Sequence, residues 1–142
     1  MAEETLVKEQ LTPEMITVGR NMTRSLVLAE FDLLCSIWLY SPESNRWSLV
    51  LASPVVGRDG PRKAYELVEK VLQANGETDV WFQNISVISP SHPLVTALRS
   101  LGRFDVTLPG QGPGTYVEVN RRFTRSRVGD MFVEDAYIYL LH

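Results

Sequence analysis

The chain has few residues of the types that build covalent or metal-based sites. It contains one cysteine, Cys35, and two histidines, His92 and His142, among 142 residues. A single cysteine excludes a disulfide within the chain. One cysteine and two histidines are also too few to form the four-ligand site of a structural zinc ion. Cys35 lies in an apolar run, where a buried thiol is usually unreactive, and His92 stands at a helix start. The sequence therefore predicts no Cys–His nucleophile, no metal and no cofactor.

Long apolar runs are also missing. No stretch approaches the roughly 18 apolar residues that indicate a membrane span, and the opening segment MAEETLVKEQ has no apolar signal region. The formal net charge is −3 and the pI is near 5.4, which does not favour a protein that coats DNA or an anionic membrane. We expect a small cytoplasmic protein of bacterial type with no membrane partner.

Lysine is scarce, because only three of the fourteen Lys and Arg residues are lysine. A GC-rich genome favours arginine codons. Anion-binding sites also favour arginine, because the planar guanidinium matches carboxylate and phosphate groups. Composition does not separate these two explanations, so the positions of the arginines have to be considered.

Apolar periodicity predicts a single α+β domain over residues 1–142, with residues 1–11 as a frayed lead-in. The predicted order is α-β-β-α-β-α-β-β-β. Helices are expected at about 13–29, after residue 61 and at about 93–101, and strands at about 31–40, 47–52, 85–88, 104–108, 116–127 and 131–140. Short connections predict two hairpins, so we expect a mixed, mostly antiparallel sheet of five to six strands with three helices.

The most distinctive segment is Arg-Arg-Phe-Thr-Arg-Ser-Arg at residues 121–127. Its four arginines are Arg121, Arg122, Arg125 and Arg127. Strand alternation predicts Arg122 on one face and the other three on the opposite face. Four cations this close repel one another, so either acids of the next strand pair with them or an anionic partner binds them. The acids available for pairing are Asp130, Glu134 and Asp135.

A second cationic segment precedes the middle helix. Arg58, Arg62 and Lys63 flank Pro61, near the expected helix N-terminus, where backbone N–H groups favour an anion. The spacing matches no phosphate-loop signature, and Pro61 removes one donor. The segment is either an ordinary surface loop or an auxiliary anion-binding element.

Aromatic residues of the last strand suggest a contact surface. Alternation places Tyr137 and Tyr139 on one strand face with Met131 and Val133. An exposed face of this kind would suit a homodimer contact.

Three hypotheses on function follow. The leading one is a non-enzymatic binding or accessory domain whose arginine-rich C-terminal hairpin, aided by the second cationic segment, binds a protein partner or anionic ligand. Nucleic acid is less favoured, because the chain is acidic overall. The second is an enzyme that holds a phosphorylated or carboxylated small molecule with arginines and uses Glu118 or Asp135 as general base. The third is a structural subunit of a larger complex.

Overall fold

The computed structural model describes residues 7–74, 85–100, 117–128 and 130–141. Within these ranges the elements follow the order α-β-β-α-α-β-α-β-β. The helices are α1 (Pro13–Leu28), α2 (Val55–Asp59), α3 (Pro61–Ala74) and α4 (Pro93–Ser100). The strands are β1 (Cys35–Ser41), β2 (Arg46–Ala52), β3 (Ile85–Ile88), β4 (Val117–Val128) and β5 (Met131–Leu141).

The five strands form one sheet in the order β3-β2-β1-β5-β4. Strands β2 and β3 pair in parallel, and the other neighbours pair in antiparallel fashion. The expected α+β class with a mixed, mostly antiparallel sheet is therefore confirmed. The strand expected at 104–108 lies outside the described residues. None of the helices in the described ranges is long and apolar enough to span a membrane.

Helix α1 begins where the sequence indicates. Thr12 is the N-cap, and its side-chain hydroxyl accepts a hydrogen bond from the Met15 backbone N–H at 3.1 Å. Pro13 follows at the first helical position, where its missing N–H has no consequence. The buried side chains of Met22 and Leu26 then face the sheet. Capping and apolar spacing together explain both the start and the orientation of this helix.

The sheet is covered on both faces, as the apolar character of β1 on both sides predicts. Trp38 is buried in a cluster that includes residues of α1 and α3, whereas its neighbour Ile37 belongs to a second cluster with residues of α4. Adjacent residues of a strand point to opposite faces, so β1 contributes to both clusters. The core therefore consists of two apolar clusters, one on each face of the sheet, with β1 at the centre of the sheet.

Helix α2 is an additional helix that the sequence does not predict. Its sequence is Val-Val-Gly-Arg-Asp, and all of these residues except arginine are weak helix formers, so propensity argues against a helix. Tertiary contacts stabilise it, because Val55 is buried and the Val55 N–H donates to the Ser53 hydroxyl at 3.2 Å. The Ser53 hydroxyl in turn donates to the Phe31 carbonyl at 3.2 Å, which ties the turn before α2 to the segment before β1.

Residues 7–11 do not fray, contrary to the expectation for 1–11. Leu11 is buried in the first cluster, and the Trp47 indole N–H donates to the Glu9 carbonyl at 2.8 Å. The segment packs over the β1–β2 hairpin before α1 begins.

Candidate functional site

The arginine-rich strand β4 and its partner β5 divide their charges between an ion pair on a buried carboxylate and an exposed surface. Arg122 makes the ion pair, although its own side chain is 42% exposed. Its Nε donates to Asp135 Oδ1 at 3.0 Å, and a terminal nitrogen donates to Asp135 Oδ2 at 2.8 Å. Asp135 is nearly inaccessible to solvent. This bidentate geometry is the strongest form of Arg–carboxylate pairing, and it confirms cross-strand pairing for this arginine.

A second cation reaches the same carboxylate from the start of the chain. Lys8 Nζ donates to Asp135 Oδ2 at 2.8 Å and lies 4.8 Å from the centre of the Tyr40 ring. The Arg122 guanidinium in turn lies 5.9 Å from the centre of the Trp47 ring. Lys8 is 127 positions from Asp135 in sequence, so no local pattern predicts this contact.

The environment of Asp135 has two opposing effects on its acidity. Burial by itself raises the pKa of the Asp135 carboxyl. The hydrogen bonds from Arg122 and Lys8 outweigh burial and hold that pKa below its usual range. A carboxylate with a lowered pKa and occupied oxygens is a poor general base. The structure therefore argues against Asp135 as a general base. The other candidate base, Glu118, has a side chain outside the described parts of the chain.

Stability should depend on the ionisation of Asp135. A pKa lowered by folding means that its contribution is complete above the unfolded pKa of about 3.9 and is lost as the pH falls through the folded value. We expect the difference in unfolding free energy between the wild type and Asp135→Asn to be largest at pH 6 and to shrink at pH 4 and pH 3. Urea unfolding followed by circular dichroism at these pH values measures it.

The other acids are common to both proteins and cancel in this difference. The difference therefore reports the carboxylate at position 135 alone. A difference that stays constant from pH 6 to pH 3 would show that Asp135 has the same pKa in the folded and unfolded states.

The exposed part of the hairpin lies toward its turn and consists of Arg125, Arg127 and Phe132, here called the tip surface. Arg125 is 83% exposed, and its Nε lies 3.9 Å from Glu134 Oε1, a loose pair. Within the described ranges Arg127 makes no ion pair, and it lies opposite Phe132, which is 65% exposed. Asp130 pairs with no arginine in the same ranges. Cross-strand pairing thus leaves the charge of the tip surface largely uncompensated.

The predicted alternation of the arginines is wrong beyond Thr124. Phe123 and Val128 contact the same core cluster although they are five positions apart and would alternate to opposite faces of a regular strand. The break occurs at Arg125, whose φ of 45° lies in the left-handed region. Val128 lies on the same sheet face as Phe123, and its neighbour Arg127 lies on the opposite face. Arg127 therefore points away from the cluster that Phe123 contacts.

Among the strands that the structure describes, β4 lies at one edge of the sheet, and that edge is irregular. The register with β5 shifts between Glu118 and Arg121, and Asn120 there has a φ of 47°, typical of a β-bulge. Bulges and charged side chains discourage another strand from pairing with an edge. The hairpin therefore presents side chains rather than a regular row of backbone groups.

The second cationic segment lies at the other end of the sheet. Arg58 pairs with Asp59 at 3.3 Å and with Asp32, just before β1, at 3.5 Å, while Arg62 lies 3.6 Å from Glu66. The start of β1 and the end of β1 are separated by its seven residues, roughly 20 Å. Strand β5 pairs antiparallel with β1, with Cys35 opposite Leu141 and Leu39 opposite Ala136, so the turn of the hairpin lies beyond the end of β1. Arg58, Arg62 and Lys63 therefore do not join the tip surface.

The predicted tyrosine contact surface is not present. Tyr139 is buried, and Tyr137 is half-buried with its hydroxyl 3.4 Å from an Arg20 nitrogen on α1. Met131 and Val133 contact the opposite core cluster. Helix α1 covers the tyrosines, so they cannot form an exposed dimer face with Met131 and Val133.

Comparison of the chain with protein-family models, with curated proteins and with solved structures gives no match.

Proposed function

We propose that the protein is a non-enzymatic binding domain whose tip surface recognises an acidic segment of a partner protein. The exposed Phe132 directly opposite Arg127, which makes no ion pair within the described ranges, carries this proposal. Aromatic residues, phenylalanine included, and arginine are enriched in the centres of protein interfaces. We also place the protein in the cytoplasm, because its single cysteine gives no disulfide within the chain.

The geometry supports recognition by side chains. Arg125 and Arg127 extend from an irregular edge strand, and their guanidinium groups can each grip a carboxylate with two parallel hydrogen bonds. The buried Asp135 neutralises Arg122 and aligns the strand behind them. The hairpin thus has a rigid base and an accessible cationic end.

An acidic protein segment fits better than nucleic acid. The formal net charge of −3 repels an extended polyanion at long range, whereas a short acidic segment meets only the local patch. Phe132 also adds an apolar contact that a phosphate backbone does not use. The partner should therefore combine carboxylates with at least one apolar side chain.

A pair of charge-matched double variants tests the proposal. We expect Arg125→Gln/Arg127→Gln to bind a synthetic Asp/Glu-rich peptide containing one leucine at least tenfold more weakly than the wild type. Each tenfold loss corresponds to about 1.4 kcal/mol. Arg62→Gln/Lys63→Gln removes the same charge from the far end of the sheet and should bind as the wild type does. Fluorescence anisotropy of a labelled peptide across a salt series measures these affinities.

Phe132→Ala separates a specific interface from simple charge attraction. Its side chain is exposed, so the variant should fold, and it should weaken peptide binding while leaving binding to heparin unchanged. Equal losses in both charge variants would assign binding to net charge alone. Binding of single- or double-stranded oligonucleotides but not of the peptide would favour a nucleic-acid partner instead.

A further inference from the structure

A groove on the β1–β2 hairpin holds residues 7–11 chiefly through their backbone. The Asn45 side-chain amide donates to the Val7 carbonyl at 3.0 Å, and its oxygen accepts from the Glu9 N–H at 2.9 Å. The Trp47 indole donates to the Glu9 carbonyl at 2.8 Å. These three hydrogen bonds do not depend on the side chains at positions 7 and 9, so any segment of similar path would make them.

Two side chains of the segment are recognised individually. Lys8 Nζ meets the buried Asp135 carboxylate at 2.8 Å and the Tyr40 ring at 4.8 Å. The Tyr40 hydroxyl donates to the Asn45 side-chain oxygen at 2.7 Å, which orients the amide. Three positions after Lys8, Leu11 is buried in the core cluster. The groove therefore selects a lysine followed three positions later by a large apolar residue.

Residues 7–11 are anchored in the core cluster through one side chain, that of Leu11. Val7, Glu9 and Gln10 are exposed, and the segment has no helical or strand hydrogen bonds. Segments with few buried apolar contacts open at low free energy. When Lys8 leaves, Asp135 keeps its bidentate pair with Arg122, so the groove can empty without leaving an unpaired buried carboxylate.

We propose that this lysine groove, formed by Tyr40, Asn45, Trp47 and Asp135, is a binding site for a Lys-x-x-apolar segment of a partner protein. Residues 7–11 occupy the groove within the chain and compete with that segment. The in-chain segment has a high effective concentration, so a partner must displace it or bind when it opens. This inference is independent of the tip surface, which recognises the opposite charge.

The test weakens the in-chain competitor and supplies a peptide. We expect a synthetic peptide with the sequence TLVKEQLT to bind the full-length Lys8→Gln variant at least tenfold more tightly than the wild type. The same peptide with its lysine replaced by glutamine should bind at least tenfold more weakly. Isothermal titration calorimetry gives the affinities, and the Trp47 indole N–H resonance in NMR spectra locates the peptide.

A further variant separates groove binding from other sites. Asn45 has a φ of 52°, which glycine adopts without strain, so Asn45→Gly removes the amide while keeping the turn. In the Lys8→Gln background this change should abolish peptide binding, with circular dichroism confirming the fold. Equal binding of both peptides, binding that survives Asn45→Gly, or no binding to Lys8→Gln would each overturn the proposal. A concentration-dependent dimer of the wild type that Lys8→Gln abolishes would instead assign the groove to a second copy.

Discussion

Replacing Gly19 with alanine should lower the free energy of unfolding by about 3 kcal/mol, because it overpacks a buried contact. A Cβ at this position would overlap the Trp38 indole nitrogen and the Tyr139 hydroxyl and would lie 2.8 Å from Tyr139 Cε2. Both rings are almost completely buried and cannot turn away. Urea unfolding followed by circular dichroism measures the effect.

The overlap also disturbs the hydrogen bonds that connect α1 to the sheet. The Trp38 indole donates to the Met15 carbonyl at 3.2 Å, and the Tyr139 hydroxyl donates to the Ile16 carbonyl at 2.6 Å. Each bond is worth about 1 kcal/mol. Weakening both bonds therefore outweighs the gain in helix propensity from glycine to alanine, which is at most about 1 kcal/mol.

Gly57→Ala is the matched control. Gly57 lies in helix α2, has no positive φ, and a Cβ there meets nothing within 4 Å. We expect this variant to be unchanged or stabilised by up to about 1 kcal/mol, because alanine restricts the unfolded chain. If Gly19→Ala were as stable as Gly57→Ala, the close packing of α1 against Trp38 and Tyr139 would be contradicted.

Asp135→Ala should destabilise the protein by about 2–3 kcal/mol, since it removes a buried anion from between two cations. Loss of one partner from a fully buried pair usually costs about 3–5 kcal/mol. Lys8 and Arg122 are 36% and 42% exposed, so each can partly turn toward water, which lowers the expected value. Urea unfolding at pH 7 measures it.

Arg122→Ala should be less harmful than Asp135→Ala. The Asp135 carboxylate would keep its 2.8 Å contact with Lys8, so no buried charge is left without a partner. The double variant should cost less than the sum of the single variants, because both act on one interaction. A loss below about 1 kcal/mol for Asp135→Ala would place the pair among surface ion pairs of little energetic consequence.

Much of the fold could be predicted from local patterns. The cap at Thr12 with Pro13 locates the start of α1, and the short connection between β1 and β2 identifies them as a hairpin. Helix α2 could not be predicted, because its Val-Val-Gly sequence disfavours a helix and the burial of Val55 in the core stabilises it. The elements that could be predicted are therefore those stabilised by interactions between residues close in sequence.

The candidate site was predictable only in part. The sequence left open whether the arginines pair with acids of β5 or face a partner, and both occur, because Arg122 pairs with Asp135 while Arg127 stays exposed. The left-handed backbone at Arg125, which reverses the alternation, has no signal in the residue type. No sequence pattern indicated that Lys8 pairs with Asp135 either, because contacts between positions far apart in sequence depend on the fold.

The sequence by itself determined the α+β class, the positions of the main helices and strands, and the concentration of arginine in β4. These properties follow from apolar periodicity and capping, which act between residues a few positions apart. Only the tertiary structure decided which arginine pairs with the buried Asp135, that Lys8 joins Asp135, and that the segment after residue 57 lies at the far end of the sheet. Those outcomes depend on strand order and register, because a shift of one residue exchanges the buried and exposed faces of a strand.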